Sequence, residues 1–404
     1  MLGPRNIAGP VVRGPDFWGR ENEVKHLWQL LTQGSVLLTG PRRHGKSSLM
    51  YGALDQPSDG FVVILLDVEW IETPEEFLTT MAAELLAIDR VRQVFSNLGS
   101  APSALRRWIS SIIEDVGVGV SNVGELKIRL RQSLPDDDSW PELAGQMLAT
   151  LRTLPQRVVL ILDEFPIMIS SMLQVDLATA LRFLRWFRTF RQSPGTDRLT
   201  FLLGGSTNIE PRLESLGAEA VLGDLQRFRL MPFPGDKALN FVNELLRRET
   251  SAYEPGVPEA IYALCESGVP FYLQTIVAEC IAEIHRSGKA LSVSNVRSIY
   301  RERVVGPVNR HRFSHYQTRL RSYYSEFEEP ARIVLARLCR GPEPVDNLRA
   351  NLAAAGYDPQ LLDQTLVFLE GDYYVLRDGI QIMFGDGLLR DWWARNSIPA
   401  KVKL

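Results

Sequence analysis

Five short runs rich in aliphatic and β-branched residues recur along the first 234 positions, four closed by a polar residue or a glycine and the last by Met231-Pro232-Phe233-Pro234. They lie at 35–39, 61–68, 158–162, 199–205 and, more briefly, 228–230. Unbroken apolar runs of this length suit strands buried on both faces of a parallel sheet. The longer stretches between them repeat at helical spacing, so the pattern predicts an α/β core of five parallel strands over residues 17–234, after an N-terminal extension at 1–16. One such stretch, 176–192, carries Phe183, Trp186, Phe187 and Phe190 beside Arg182, Arg185, Arg188 and Arg191. That spacing gives an aromatic packing stripe next to an arginine stripe.

Residues 89–157 read as an insertion in this core. Within it Val116, Val118 and Val120, then Leu126, Ile128 and Leu130, alternate with other residues around Ser121-Asn122-Val123-Gly124, which predicts a hairpin with a basic face at Lys127, Arg129 and Arg131. That face reads as solvated, or as a contact for a partner or DNA. The acidic residues 136–138 open the helix that follows.

Beyond 235 the pattern is helical to about 298, and this segment reads as a lid on the core. Segment 299–329 is a basic linker. Residues 330–404 then predict helices at 331–340, 344–355 and 359–370 and strands at 373–377 and 380–384, joined at Asp378-Gly379. Asp-Gly between two alternating runs is a strong hairpin signal, and three helices with a hairpin make a winged helix-turn-helix. Its recognition helix carries Asp358, Asp363 and Glu370 and no basic residue. Major-groove reading relies on Arg and Lys, so this acidity favours a protein-interaction or autoinhibitory role.

The chemistry sits where the strands end. The first run leads into Gly40-Pro41-Arg42-Arg43-His44-Gly45-Lys46-Ser47-Ser48, the spacing G-x-x-x-x-G-K-[ST] of a phosphate-binding loop. Gly40 and Gly45 let the backbone curl so that successive N–H groups face phosphate oxygens. Lys46 supplies a charge for the β- and γ-phosphates of ATP, and the Ser47 hydroxyl is suited to Mg²⁺. His44 is either a spacer or a phosphate neighbour. The third run ends in Asp163-Glu164: Asp163 is the candidate Mg²⁺ carboxylate, and Glu164 is placed to orient or deprotonate an attacking water. The fourth ends in Ser206, Thr207 and Asn208, one of which is a candidate γ-phosphate sensor where this strand lies between the other two; plain turn chemistry is the alternative. An acid next to the Mg²⁺ carboxylate predicts a Mg²⁺-dependent ATPase of the additional-strand, catalytic-glutamate type.

Composition narrows the rest. The chain has 404 residues, ample for two or three domains, and a formal charge of −3, so no global field draws it to nucleic acid or membrane. Three cysteines without metal-ligand spacing, no apolar run approaching 18 residues and no signal-peptide core suggest a cytoplasmic protein.

Phe17-x-Gly19-Arg20-Glu21-x-Glu23-Val24 followed by the phosphate loop resembles the archaeal-type ATPases of the STAND and AAA+ group, which include prokaryotic proteins similar to origin-recognition ATPases. Asp163-Glu164-Phe165-Pro166, Gly204-Gly205-Ser206, Gly268-Val269-Pro270 and the closing stretch from Phe384 through Leu388-Leu389-Arg390-Asp391-Trp392-Trp393 extend the resemblance over most of the chain. The resemblance implies that Phe17, Gly19 and Arg20 lie against the adenine, although Arg20-Glu21 also reads as a solvated helix start. It implies that Pro270 packs the lid on the base. No arginine adjoins Gly268-Val269-Pro270, where an AAA+ protein would carry its second sensor. Arg185, Arg188, Arg212 and Arg227 are candidates for an arginine finger, and the sequence does not choose among them.

The run bounded by Arg297 and Arg321 holds seven arginines against Glu302, with aromatics interleaved. This suits either a phosphate-tracking surface or a helix packed between domains. Two functions follow from these readings. One is an ATP-driven switch that controls a protein partner or an assembly, with a possible place in prokaryotic defence; the other is a DNA-engaging ATPase using the 297–321 stretch and the winged helix.

Overall fold

The computed structural model describes residues 3–96, 105, 107–109, 139–195, 197–206, 208–249, 252–323 and 325–397. The expected hairpin within 116–131, the acidic residues 136–138 and Thr207 lie outside the described residues. In chain order the first elements are α1 (Glu21–Gln33), β1 (Val36–Thr39), α2 (Lys46–Asp55), β2 (Phe61–Asp67), α3 (Pro74–Ala87) and α4 (Asp89–Ser96). They continue with α5 (Trp140–Leu151), β3 (Arg157–Asp163), α6 (Phe165–Val175), α7 (Leu177–Arg191), β4 (Leu199–Gly204), α8 (Glu210–Ser215) and β5 (Gln226–Arg229).

The five strands run parallel in the order β2-β3-β4-β1-β5, so β4 lies between the phosphate-loop strand and the Asp163 strand, as the sensor reading requires. Successive side chains point to opposite faces of a strand, and both faces here are apolar. Leu160 and Leu162 join the core under α3, α5 and α7, whereas Val159 and Ile161 join the one under α1 and α2. In the β2–β3–β4 register Asp67, Asp163 and Gly204 stand level. The carboxyl ends of the strands therefore form one edge, where ligands of open α/β sheets bind. The aromatic stripe of α7 is core, Phe183 and Trp186 packing on Trp140.

The chain continues through α9 (Gly235–Glu249), α10 (Val257–Cys265), α11 (Pro270–Ser287), α12 (Val293–Ile299), α13 (Arg310–Tyr323) and α14 (Glu328–Leu338). It closes with β6 (Glu343–Pro344), α15 (Val345–Ala354), α16 (Leu361–Gly371), β7 (Val375–Asp378), β8 (Gln381–Phe384) and α17 (Gly387–Asn396). β6, β8 and β7 form an antiparallel sheet beside α14, α15 and α16, the elements expected of the winged helix; β6 adds a strand the sequence pattern did not suggest. Gly379 at the hairpin has φ +58°, which a glycine adopts without a side-chain clash.

One apolar core runs from Phe233 to Trp393, through α9 to α12 and on into α14 to α17. Helix α13 packs within this core. Phe313, Tyr316 and Leu320 are buried, Tyr316 Oη lies 2.8 Å from Tyr272 Oη of α11, and Tyr374 Oη donates to the Tyr316 carbonyl at 2.8 Å. The aromatics of the 297–321 stretch thus serve packing between elements. Among the described residues no helix is long and apolar enough to cross a membrane.

Candidate active site

The phosphate loop is shaped by close backbone packing. Gly40 has φ +137°, and a Cβ there would stand 2.6 Å from the Leu230 carbonyl oxygen. Gly45, at φ +90°, caps α2, and no side chain caps that helix. The first N–H groups of a helix have no partner within it, so this uncapped end is suited to an anion. Lys46 is buried and its ammonium donates to the carbonyls of Gly40 and Pro41 at 2.7 and 2.8 Å. Burial, partly countered by Glu164, brings its pKa down to about 8.

Beneath the loop, His44 is buried and its Nδ1–H donates to the Arg42 carbonyl at 3.1 Å. Burial, with Lys46 and Arg20 nearby, holds its pKa at about 3, so the ring is a neutral spacer at physiological pH. Arg20 is also under the loop: it donates to the His44 carbonyl at 3.3 Å, pairs with Glu23 at 2.7 Å and lies 4.3 Å from the Phe233 ring centroid. Gly19, at φ +72°, lets the chain pass Phe233 and Lys237.

Ser47 donates its hydroxyl to Asp163, whose pKa is raised to about 6 by burial and by Glu164. Glu164 has φ +63°, a left-handed backbone that costs a non-glycine residue about 1–3 kcal/mol. The turn directs its carboxylate across to the next strand, where Oε2 accepts both the N–H (2.8 Å) and the hydroxyl (3.0 Å) of Ser206. A Cβ on Gly205 would come within 2.8 Å of the same oxygen, so the glycine keeps this approach open.

One cavity joins the phosphate loop to Glu164 and Ser206. Arg42, Arg43, Gly45, Lys46, Ser47 and Ser48 line its floor, with Glu164, Gly205 and Ser206 at one wall and Pro270, Phe271 and Gln274 of the lid at another. The remaining wall is the N-terminal segment: Gly9, Pro10, Val11 and Val12. This strap is fastened by Arg43 donating to the Gly9 carbonyl (3.3 Å) and by Val12 N–H donating to Ser48 Oγ (3.1 Å). Phe17 lies outside the cavity lining, its ring set against Gly52, where an added Cβ would meet it at 2.6 Å. The strap and Gln274 were not foreseen, since neither carries a motif; Pro270 was. Of the arginine-finger candidates, Arg227 is held by Glu210 at 2.9 Å and by the Leu222 carbonyl at 2.8 Å.

The donor set fits a nucleoside triphosphate with Mg²⁺. An uncapped helix start, the buried Lys46 and the side chains of Arg42 and Arg43 in the floor suit phosphates, while the Ser47–Asp163 pair supplies hard oxygen ligands.

No protein-family model and no curated protein matches the chain. Among solved structures it is similar to a Walker-type ATPase of Pyrococcus abyssi, with 17% identity and a TM-score of 0.64, over 96% of this chain and 99% of that one. It is also similar to the ORC2 protein of Aeropyrum pernix, solved in ADPNP–ADP complexes, with 13% identity and a TM-score of 0.54, over 96% of this chain and 95% of that one. The chain has the fold of the archaeal-type P-loop ATPases, with an origin-recognition-like core.

Proposed function

We propose that this chain binds ATP with Mg²⁺, hydrolyses it, and uses the difference between the two nucleotide states to control a protein partner or an assembly. Bound Mg²⁺–ATP supplies the scissile anhydride and a divalent charge that neutralises the phosphates. Lys46 and the α2 N-terminus hold the anion; Ser47 and ionised Asp163 hold the metal. Glu164 accepts the proton of the attacking water, and Ser206 fixes the orientation of that carboxylate. Pro270 and Phe271 close the lid side, and Gly9 to Val12 the other, with Phe17, Gly19 and Arg20 supporting the loop from behind.

The observation that carries the switch reading is the seat of the winged helix. Asn208, two residues beyond Ser206, donates its N–H to Asp372 at 2.8 Å, and a Cβ on Gly371 would stand 2.7 Å from Pro211. The next residue, Tyr373, bonds to Thr39 at the end of β1 and lies under Arg229, 4.4 Å from its guanidinium. The strand ends that meet the phosphates are therefore the ones the winged helix rests on. Lys46→Ala is the direct test: nucleotide binding, followed with a fluorescent ATP analogue, should be lost, and unaltered binding would remove the loop from the account.

A second reading, DNA engagement, draws on Arg297, Arg301, Arg310 and Arg321, which remain exposed. Against it, Arg349 and Arg377 of the winged helix pair with Asp363 and Glu370 at 2.9 and 2.6 Å. Titration with duplex DNA at two salt concentrations separates the readings, because phosphate contacts weaken steeply with salt.

A further inference from the structure

The face of α13 turned toward β4 carries a charge for which the ATPase reading has no task. Arg319 is 4% exposed, and its Nη1 donates to the Ser206 carbonyl at 2.7 Å. Its Nη2 lies 3.5 Å from one oxygen of Asp372, which is 7% exposed and whose other oxygen accepts the Asn208 N–H. One buried guanidinium and one buried carboxylate thus clasp the end of β4, the guanidinium at Ser206 and the carboxylate at Asn208. Ser206 is at the same time the residue that lines the cavity and holds Glu164.

Arg319 also stands within electrostatic reach of the phosphate loop. After burial, its positive charge is the next influence lowering the pKa of Arg42, and it acts in the same direction on Lys46, while Asp372 acts in the opposite one. Two turns of α13 closer to the lid, Arg312 bonds to Asn309, and the half-buried His315, near Arg42, Arg43 and Arg319, is kept neutral by desolvation and by those cations. Helix α13 therefore brings its cationic face to a loop that already holds Arg42, Arg43 and Lys46. A guanidinium offers five donors in a planar fork, and it binds phosphate with the same geometry as carboxylate.

We propose that Arg319 is the arginine by which this chain senses the terminal phosphate in cis, and that it does so by exchanging its partner Asp372 for that phosphate. This rests on the ATPase reading and gives it a wire. With ADP the Arg319–Asp372 pair persists, and the winged helix stays on β4. With ATP the guanidinium turns to the anion. Asp372 is left as a buried carboxylate without its cation, which is unfavourable, and the winged helix leaves its seat. The role vacant at the start of α11, where residues 270–274 contain no arginine, is filled from α13.

The test uses the full-length chain and measures affinity for ADP and for a non-hydrolysable ATP analogue by competition with fluorescent ADP. Arg319→Gln should weaken the ATP analogue about 10-fold or more and change ADP affinity by less than about 3-fold, as a coupling of typical size would give. Asp372→Asn retains an oxygen for the Asn208 N–H but removes the competing charge. It should tighten the ATP analogue several-fold, and that gain should vanish when Arg319→Gln is also present. A triphosphate-to-diphosphate preference equal to that of the wild type in the folded variants would overturn the proposal and leave Arg319 a structural clamp. If Arg319→Gln does not fold, Asp372→Asn alone decides: no gain overturns it. Wild-type protein that binds neither nucleotide would bring down the ATPase reading itself, and this inference with it.

Discussion

Glu164 accepts two hydrogen bonds from Ser206 on a single carboxylate oxygen, one from the backbone N–H and one from the hydroxyl. The two residues were singled out for separate tasks, a base and a sensor, and the structure joins them. Because Glu164 is reached through a left-handed turn at φ +63°, its direction is set by the backbone as well as by Ser206.

Removal of either partner should therefore be felt unequally. Glu164→Gln should keep nucleotide binding while turnover falls about 10²-fold or more, the usual loss on removing a general base. Ser206→Ala retains the N–H bond and should lose less, about 10-fold. Phosphate release at saturating ATP, alongside binding, distinguishes the two; normal turnover in Glu164→Gln would strike that residue from the catalytic set.

Two glycines separate chemistry from folding. A Cβ on Gly205 meets Glu164 Oε2 and the Pro166 ring at 2.8 Å and the Glu164 Cα at 3.0 Å, so Gly205→Ala should displace the carboxylate and lower turnover more than it lowers the unfolding midpoint. A Cβ on Gly268 would lie 1.9 Å from the Phe233 carbonyl oxygen, and backbone must move. Gly268→Ala should cost about 1–3 kcal/mol in urea unfolding, the range for overpacking. The reverse pattern would contradict the placement of both.

Acid should act through His44. Its folded pKa is about 3 against an ordinary value of 6.5, so between these limits the unfolded chain binds a proton that the folded chain does not. Stability is then intact above about 6.5 and lost as the pH falls, by at most about 1.4 kcal/mol per unit. Asp163 and Asp386, raised to about 6 and about 7, work in the opposite sense over the same range, so the comparison must be with His44→Asn. Urea midpoints at pH 7 and pH 5 should show the wild type losing about 1–2 kcal/mol more than the variant. Equal losses would mean that His44 is protonated in the folded protein.

The sheet, the loop and the Asp163–Glu164 pair were legible because an unbroken apolar run leads, in each case, into residue types that a phosphate-handling strand end requires. Pro270 was reached by resemblance, and it does line the cavity. What stayed hidden was long-range. Arg319 is one of seven arginines in its stretch, and nothing local marks it as the one that turns inward. Asp372 sits in a turn after an acidic helix, where its pairing with Asn208 across 164 positions leaves no periodic trace. The strap at residues 9–12 has neither motif nor amphipathic pattern, and it is placed by Arg43 and Ser48.

The central claim is that the terminal phosphate moves the winged helix. Distances between spin labels at Gln29 on α1 and Ala353 on α15, both exposed, measure this directly in the Glu164→Gln protein, which should hold ATP without consuming it. A ligand shifts a conformational equilibrium only by its differential affinity for the two states. The account predicts one distance distribution shared by ADP and nucleotide-free protein and a second, shifted one with ATP. The same distribution under all three conditions would contradict it.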